Sequence, residues 1–256
     1  MRGSGGAHTS RTLLLADLQP VLAACPSWSV LEDYRREIVQ NNAAGKDTLS
    51  SRERTFRYLR ELYALELENP SFRAFRRLWE RDVESRPTMA LLFALSRDRT
   101  FSATIPAVVP LEVADRVNSD DLATAVETAF PGVYSESIRA KVGRNALSSW
   151  QQAGYLTRMN RRSVVRGPVR PGPGAVAIAL VLASIDGRTG ERMFEADIVA
   201  VLSASSTVLH DRAHECARRG WLGYRSRGTV TEVDLSALTA EPGDLRMPLL
   251  PEEGVS

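Results

Sequence analysis

His210 and His214 stand one helical turn apart in His210-Asp211-Arg212-Ala213-His214-Glu215. At that spacing two imidazoles can share a metal ion, provided a third donor and an acid follow at set offsets. The order here matches neither HExxH nor HxxEH, and Arg212 puts a cation between the two rings. Two polar residues on an exposed helix are the better reading. Phosphate-cradling loops are missing as well. Gly3 to Gly6 precede no strand-like run, and residues 167–174 hold too much proline to donate consecutive N–H groups. No GxSxG elbow occurs. The Asp120-Asp121 pair falls at a predicted helix start, where acids favour the helix dipole. No catalytic residue, metal or cofactor is therefore expected, although a site dispersed along the chain would leave no motif.

The chemistry the residues do offer is electrostatic. Arg139, Lys141 and Arg144 cluster near the start of a predicted helix, and Arg158, Arg161, Arg162 and Arg166 follow in a predicted hairpin. Further on, Ser206, His210 and Arg212 lie on a second helix, and Arg225 and Arg227 on a second hairpin. Cations so arranged could contact DNA phosphates, which would supply most of the affinity and make it salt-sensitive. Few of these side chains are base readers, so weak sequence specificity is expected. The bland alternative is a solvated polar face.

The elements that must position them follow from periodicity and caps. Residues 30–39 carry Val30, Leu31, Tyr34 and Ile38 on one helical face. A helix over 52–66, opened by Ser50 or Ser51, turns Phe56, Leu59, Leu62 and Tyr63 inward and leaves Arg52, Arg54, Arg57 and Arg60 off that stripe. Asn69-Pro70 reads as its stop, and helices over 72–82 and 87–97 follow. Ser119 and Ser135 then cap two helices, the second ended by Gly154, before strands at 155–158 and 163–165 around the Asn160-Arg161-Arg162 turn.

The order recurs after residues 168–174, which read as a linker. An apolar helix over 175–185 leads to a short helix, then to one from Ser203 or Ser205 to 219 with Val208, Leu209, Ala213 and Cys216 inward. Gly220 ends it, and two strands turn at Ser226-Arg227-Gly228. SESIRAKVGRNALSSWQQAGYLTR at 135–158 parallels SASSTVLHDRAHECARRGWLGYR at 203–225. Helix, turn, longer helix, glycine and hairpin is the winged helix-turn-helix order.

The expected organisation is mainly α. A helical N-terminal domain (8–110) precedes a winged-helix-like module (111–167), the linker (168–174), a winged helix-turn-helix module (175–238) and a mobile tail (239–256), with short β-hairpin wings. The 256 residues carry a net charge of only +2, so any basic surface must be local. Cys25 and Cys216 show no zinc or redox spacing and read as small buried residues of a cytoplasmic protein. The longest apolar run, 175–185, is about half a membrane span, so no membrane partner is expected.

The N-terminal helices resemble a known family. SWSVLEDYRREIVQNNAAGKDTLSSRERTFRYLRELYAL, with Trp28 before a helix, Asn41 or Asn42 at its end and an Arg-x-x-x-Leu helix, is similar to the BrxA family of bacteriophage-exclusion (BREX) defence systems. The likeness covers roughly residues 8–165. It implies a non-enzymatic phage-defence component that binds double-stranded DNA beside other defence-system proteins, with Arg52, Arg54 and Arg57 as DNA contacts. The module at 175–256 departs from that pattern. Three alternatives stay open: a transcriptional regulator that reads a palindromic site as a homodimer, a protein–protein scaffold built on winged helices, and an enzyme with a dispersed site.

Overall fold

The computed structural model describes residues 6–160, 163–228 and 230–241, and these are mainly helical with two small antiparallel sheets. No helix among them is long and apolar enough to cross a membrane. The first layer is formed by α1 (Leu15–Ala24), α2 (Leu31–Arg35), α3 (Leu49–Tyr63), α4 (Pro70–Arg81), α5 (Arg86–Arg97) and α6 (Arg99–Ser102). Several caps differ from those expected. Thr48, one turn before the predicted serines, opens α3 by accepting from Ser51 N at 3.2 Å. Asn69-Pro70 starts α4 instead of stopping α3. The Asn69 side chain accepts from Ser71 N and Phe72 N, and Pro70 takes the first helical position, where its missing N–H costs nothing. What ends α3 is the left-handed turn at Ala64 and Leu65.

The middle unit begins with a strand that the sequence did not announce. β1 (Arg116–Val117) precedes α7 (Ser119–Ala129) and α8 (Glu136–Gln152), and β2 (Leu156–Asn160) and β3 (Ser163–Arg166) follow. The sheet order is β1-β3-β2, with Val117 opposite Val164 and Thr157 opposite Val165. Asn118, not Ser119, caps α7 through a reciprocal box with Asp121. The helices cross closely at Gly143. A Cβ there would sit 2.1 Å from the Ser119 carbonyl oxygen, and backbone cannot yield cheaply. Gly143→Ala is therefore expected to destabilise by roughly 1–3 kcal/mol through overpacking, despite a gain in helix propensity of about 1 kcal/mol. Chemical denaturation of the two proteins would show it, and a more stable variant would refute the close crossing.

The C-terminal unit comprises α9 (Pro173–Ile185), α10 (Asp197–Ala200), α11 (Ser206–Arg218), β4 (Gly223–Arg227), β5 (Val230–Asp234) and α12 (Ser236–Thr239). α8 and α11 end alike. Gly154 and Gly220 take positive φ, while Tyr155 N and Trp221 N donate back to the Trp150 and Cys216 carbonyls. The repeated sequence thus encodes a repeated local geometry.

α9 is apolar on every side and is buried throughout Pro173–Ala183, as such a helix must be. It packs on α4 and α5 as well as on α11. The 168–174 segment is accordingly a packed joint and no open spacer. Pro171, Pro173 and Gly174 are buried, Gly174 N donates to Asp82 Oδ2 at 2.8 Å, and a Cβ on Gly172 would meet Ser85 Oγ at 2.2 Å. The chain does not loosen at 239 either. Arg73 donates to the Thr239 carbonyl and Arg77 to those of Ala237, Leu238 and Ala240, which fastens α12 to α4. Residues 242–256 of the expected tail lie outside the described residues.

Candidate nucleic-acid interface

The middle unit offers the clearest cationic face. Ser135 caps α8 by accepting from Ile138 N, and Val142, Ala146, Ser149 and Trp150 turn inward. The opposite side carries Ser137, Lys141, Arg144, Ser148 and Gln151, spaced three to four apart. Lys141 and Arg144 are exposed, and no described carboxylate lies within ion-pair distance of either. A groove of about 400 Å³ runs along this face to the sheet, with Arg144 on one wall and the exposed Arg158 of β2 on the other. Lys141, Arg144 and Arg158 thus remain available as a set. Arg161 and Arg162, of the predicted turn, lie outside the described residues.

Two predicted contacts of this unit serve the fold instead. Arg139 reaches back to α7, with Nη1 2.5 Å from Glu127 Oε2. The Gly132 amide and this guanidinium hold the Glu127 carboxyl below its usual range. Arg166 is buried. It donates to the carbonyls of Tyr155 and Gly167 and to Ser203 Oγ, 2.9 Å away in the C-terminal unit, and lies 4.9 Å from the Tyr155 ring centre. It ties two units together and, being buried, does not reach the surface.

The C-terminal copy is less basic. Arg212 donates to the Pro171 carbonyl and pairs with Glu215 at 2.7 Å, and Arg219 pairs with the same carboxylate. His210 stacks on Phe194 and bonds Tyr224 OH at 2.5 Å and Glu191 at 3.2 Å. Val208, expected inside, is 38% exposed, whereas Leu209, Ala213 and Cys216 are buried. Ser206, Arg225 and Arg227 are exposed, and Arg225 faces Glu232 across the hairpin. In the N-terminal layer Arg52 ties down a loop by donating to the Lys46 and Val39 carbonyls, while Arg54 and Arg57 are exposed.

One constellation had no sequence signal. His8 Nδ1 is 2.8 Å from Asp98 Oδ2 and His8 Nε2 is 2.9 Å from Ser149 Oγ, across 90 and 141 residues. The order is that of a hydrolase triad, but the three groups are closed off from solvent. Ser149 Oγ accepts from Leu13 N and lies within hydrogen-bond distance of both the Asn145 carbonyl and His8 Nε2. All three side chains are buried, so none is presented to a substrate. Burial alone would raise the Asp98 carboxyl, but hydrogen bonds from His8 and the Phe101 amide bring it below its usual value. This buried hydrogen-bonded chain staples residues 6–13 to α8.

A cavity of about 920 Å³ between α4, α5, α9 and α10 carries Asp186, Asp197 and Arg97 on walls otherwise rich in Leu, Ile and Pro. Among the described residues no three His, Cys, Asp or Glu side chains converge to hold a metal ion. Comparison of the chain with family models, with curated proteins and with solved structures gives no match.

Proposed function

We propose that this protein is a non-enzymatic binder of double-stranded DNA whose middle unit is a winged helix, with α8 in the major groove and the β2–β3 hairpin on neighbouring phosphates. The observation that carries the reading is the unneutralised face of α8, Lys141 and Arg144, with Arg158 beside it across one groove. The resemblance to the BrxA family extends the reading to a role in phage defence, in which the protein holds DNA for partner proteins. The C-terminal unit is read as a second winged helix. With Arg212 and Arg219 both paired to Glu215 and with Val208 and Val230 exposed, it is the better candidate for docking a protein.

The test is fluorescence anisotropy on a labelled random-sequence duplex. Lys141→Ala/Arg144→Ala/Arg158→Ala is expected to lose most of the affinity and to flatten the salt dependence by about 0.9 log units per phosphate contact removed. Arg225→Ala/Arg227→Ala is expected to do less. Equal binding by the triple variant and the parent would sink the α8 assignment.

A further inference from the structure

The N-terminal segment brings a cationic cluster to the flank of α8. Arg11 and Arg57 both lie over the ring of Tyr58, their guanidinium carbons 5.2 and 4.8 Å from its centre. Arg57 is exposed, and Arg11 and Tyr58 are half-buried. Glu61, one turn further along α3, makes no ion pair with Arg57 among the described residues but lies near enough to feel its charge, so one carboxylate faces two guanidiniums. Two like charges held on one ring, with one carboxylate nearby, leave a net positive field. Tyr58 registers it, since a hydrogen bond with Ser10 and the two guanidiniums hold its hydroxyl below the usual tyrosine value against the opposing effect of burial.

The position of the cluster follows from the contacts of residues 8–15. Asn145 Nδ2 donates to the His8 carbonyl at 2.9 Å, Leu13 N to Ser149 Oγ at 2.9 Å, and Leu15 N to Gln152 Oε1 at 3.2 Å. Arg11 sits between these anchors. Each residue advances about 100° around a helix, so the row Asn145, Ser149 and Gln152 adjoins the row of Lys141, Ser148 and Arg144. The exposed arc of α8 therefore lies between two flanks: the hairpin with Arg158 on one side, and residues 8–15 with Arg11, Tyr58 and Arg57 on the other. The buried His8–Asp98–Ser149 staple fixes the second flank.

We propose that Arg11, Arg57 and Tyr58 form a second phosphate subsite, which takes the phosphodiester backbone of the same duplex on the side of α8 opposite the hairpin. Two guanidiniums supply the charge and the tyrosine hydroxyl a further donor. The proposal rests on the duplex-binding reading above.

The experiment is a salt series of duplex binding by the full chain, with Arg11→Ala/Arg57→Ala, Arg11→Lys/Arg57→Lys and Lys141→Ala/Arg144→Ala compared with the parent. The alanine pair is expected to reduce the salt slope by about 2, and the lysine pair to keep it. A parent slope in Arg11→Ala/Arg57→Ala, alongside a reduced one in Lys141→Ala/Arg144→Ala, would overturn the subsite and leave the α8 reading standing. A reduced slope in the lysine pair as well would show that charge at these positions is not what binds, and would also overturn it. A parent chain that binds no duplex would overturn both.

Discussion

Asp98→Ala is expected to destabilise the protein by about 3–5 kcal/mol, because it strands several buried donors at about 1–3 kcal/mol each. The residue does three things at once. Its Oδ2 accepts from the His8 ring and from His8 N, and its Oδ1 accepts from the amides of Thr100 and Phe101 at the start of α6. Removal leaves His8, which is fully buried and stacked 3.8 Å from Phe101, with no acceptor at Nδ1. The segment that carries Arg11 should loosen with it. The same carboxyl predicts acid sensitivity. Its folded-state pKa lies below the unfolded value, so its contribution is complete above the unfolded pKa and is lost as pH falls through the folded one. Urea titrations of parent and variant from neutral pH downward should therefore converge in acid. A loss of less than about 1 kcal/mol at neutral pH, or a gap that does not narrow in acid, would contradict this account.

A chain truncated after Gly167 is expected not to fold. Such a cut would be harmless if residues 168–174 joined two independent domains. α9 argues otherwise, because its apolar surface faces α4 and α5 as well as α11. Burying one Val, Leu or Ile is worth about 1.5–3 kcal/mol. α9 buries five of them (Val176, Ile178, Leu180, Val181 and Leu182). The loss is comparable with the whole net stability of an ordinary domain, about 5–15 kcal/mol. Calorimetry of the intact chain should show one cooperative transition, and the 1–167 fragment should lack near-UV circular dichroism. A fragment that melts cooperatively would mean that the N-terminal layer stands without α9.

What the sequence conveyed well was local. The serine caps at Ser135 and Ser205, the terminating Gly154 and Gly220, and the two hairpins all rest on bonds a few residues long. The two-residue β1 escaped notice because nothing in Arg116-Val117 marks it until β3 arrives to pair with it. The proline-rich joint read as a spacer because its partners, Asp82 and Ser85, lie about ninety residues away in sequence. The same limit governed the candidate contacts. Arg139, Arg166, His210 and Arg212 looked free beside their neighbours, and each is engaged by a group twelve to forty-one residues distant. Lys141, Arg144 and Arg158 keep their place because no such partner reaches them among the described residues. His8 gave no signal at all: its role exists only where residues 8, 98 and 149 meet.

The most direct measurement is the anisotropy of a labelled random-sequence duplex titrated with the intact protein between about 50 and 200 mM salt. The account predicts binding at the low end and a linear fall of log K with log salt. With Lys141, Arg144, Arg158, Arg11 and Arg57 all on phosphates, the slope should lie near −4 to −5, at about 0.9 per contact. No binding at the lowest salt, or binding indifferent to salt, would contradict it and move the reading to a protein-docking scaffold.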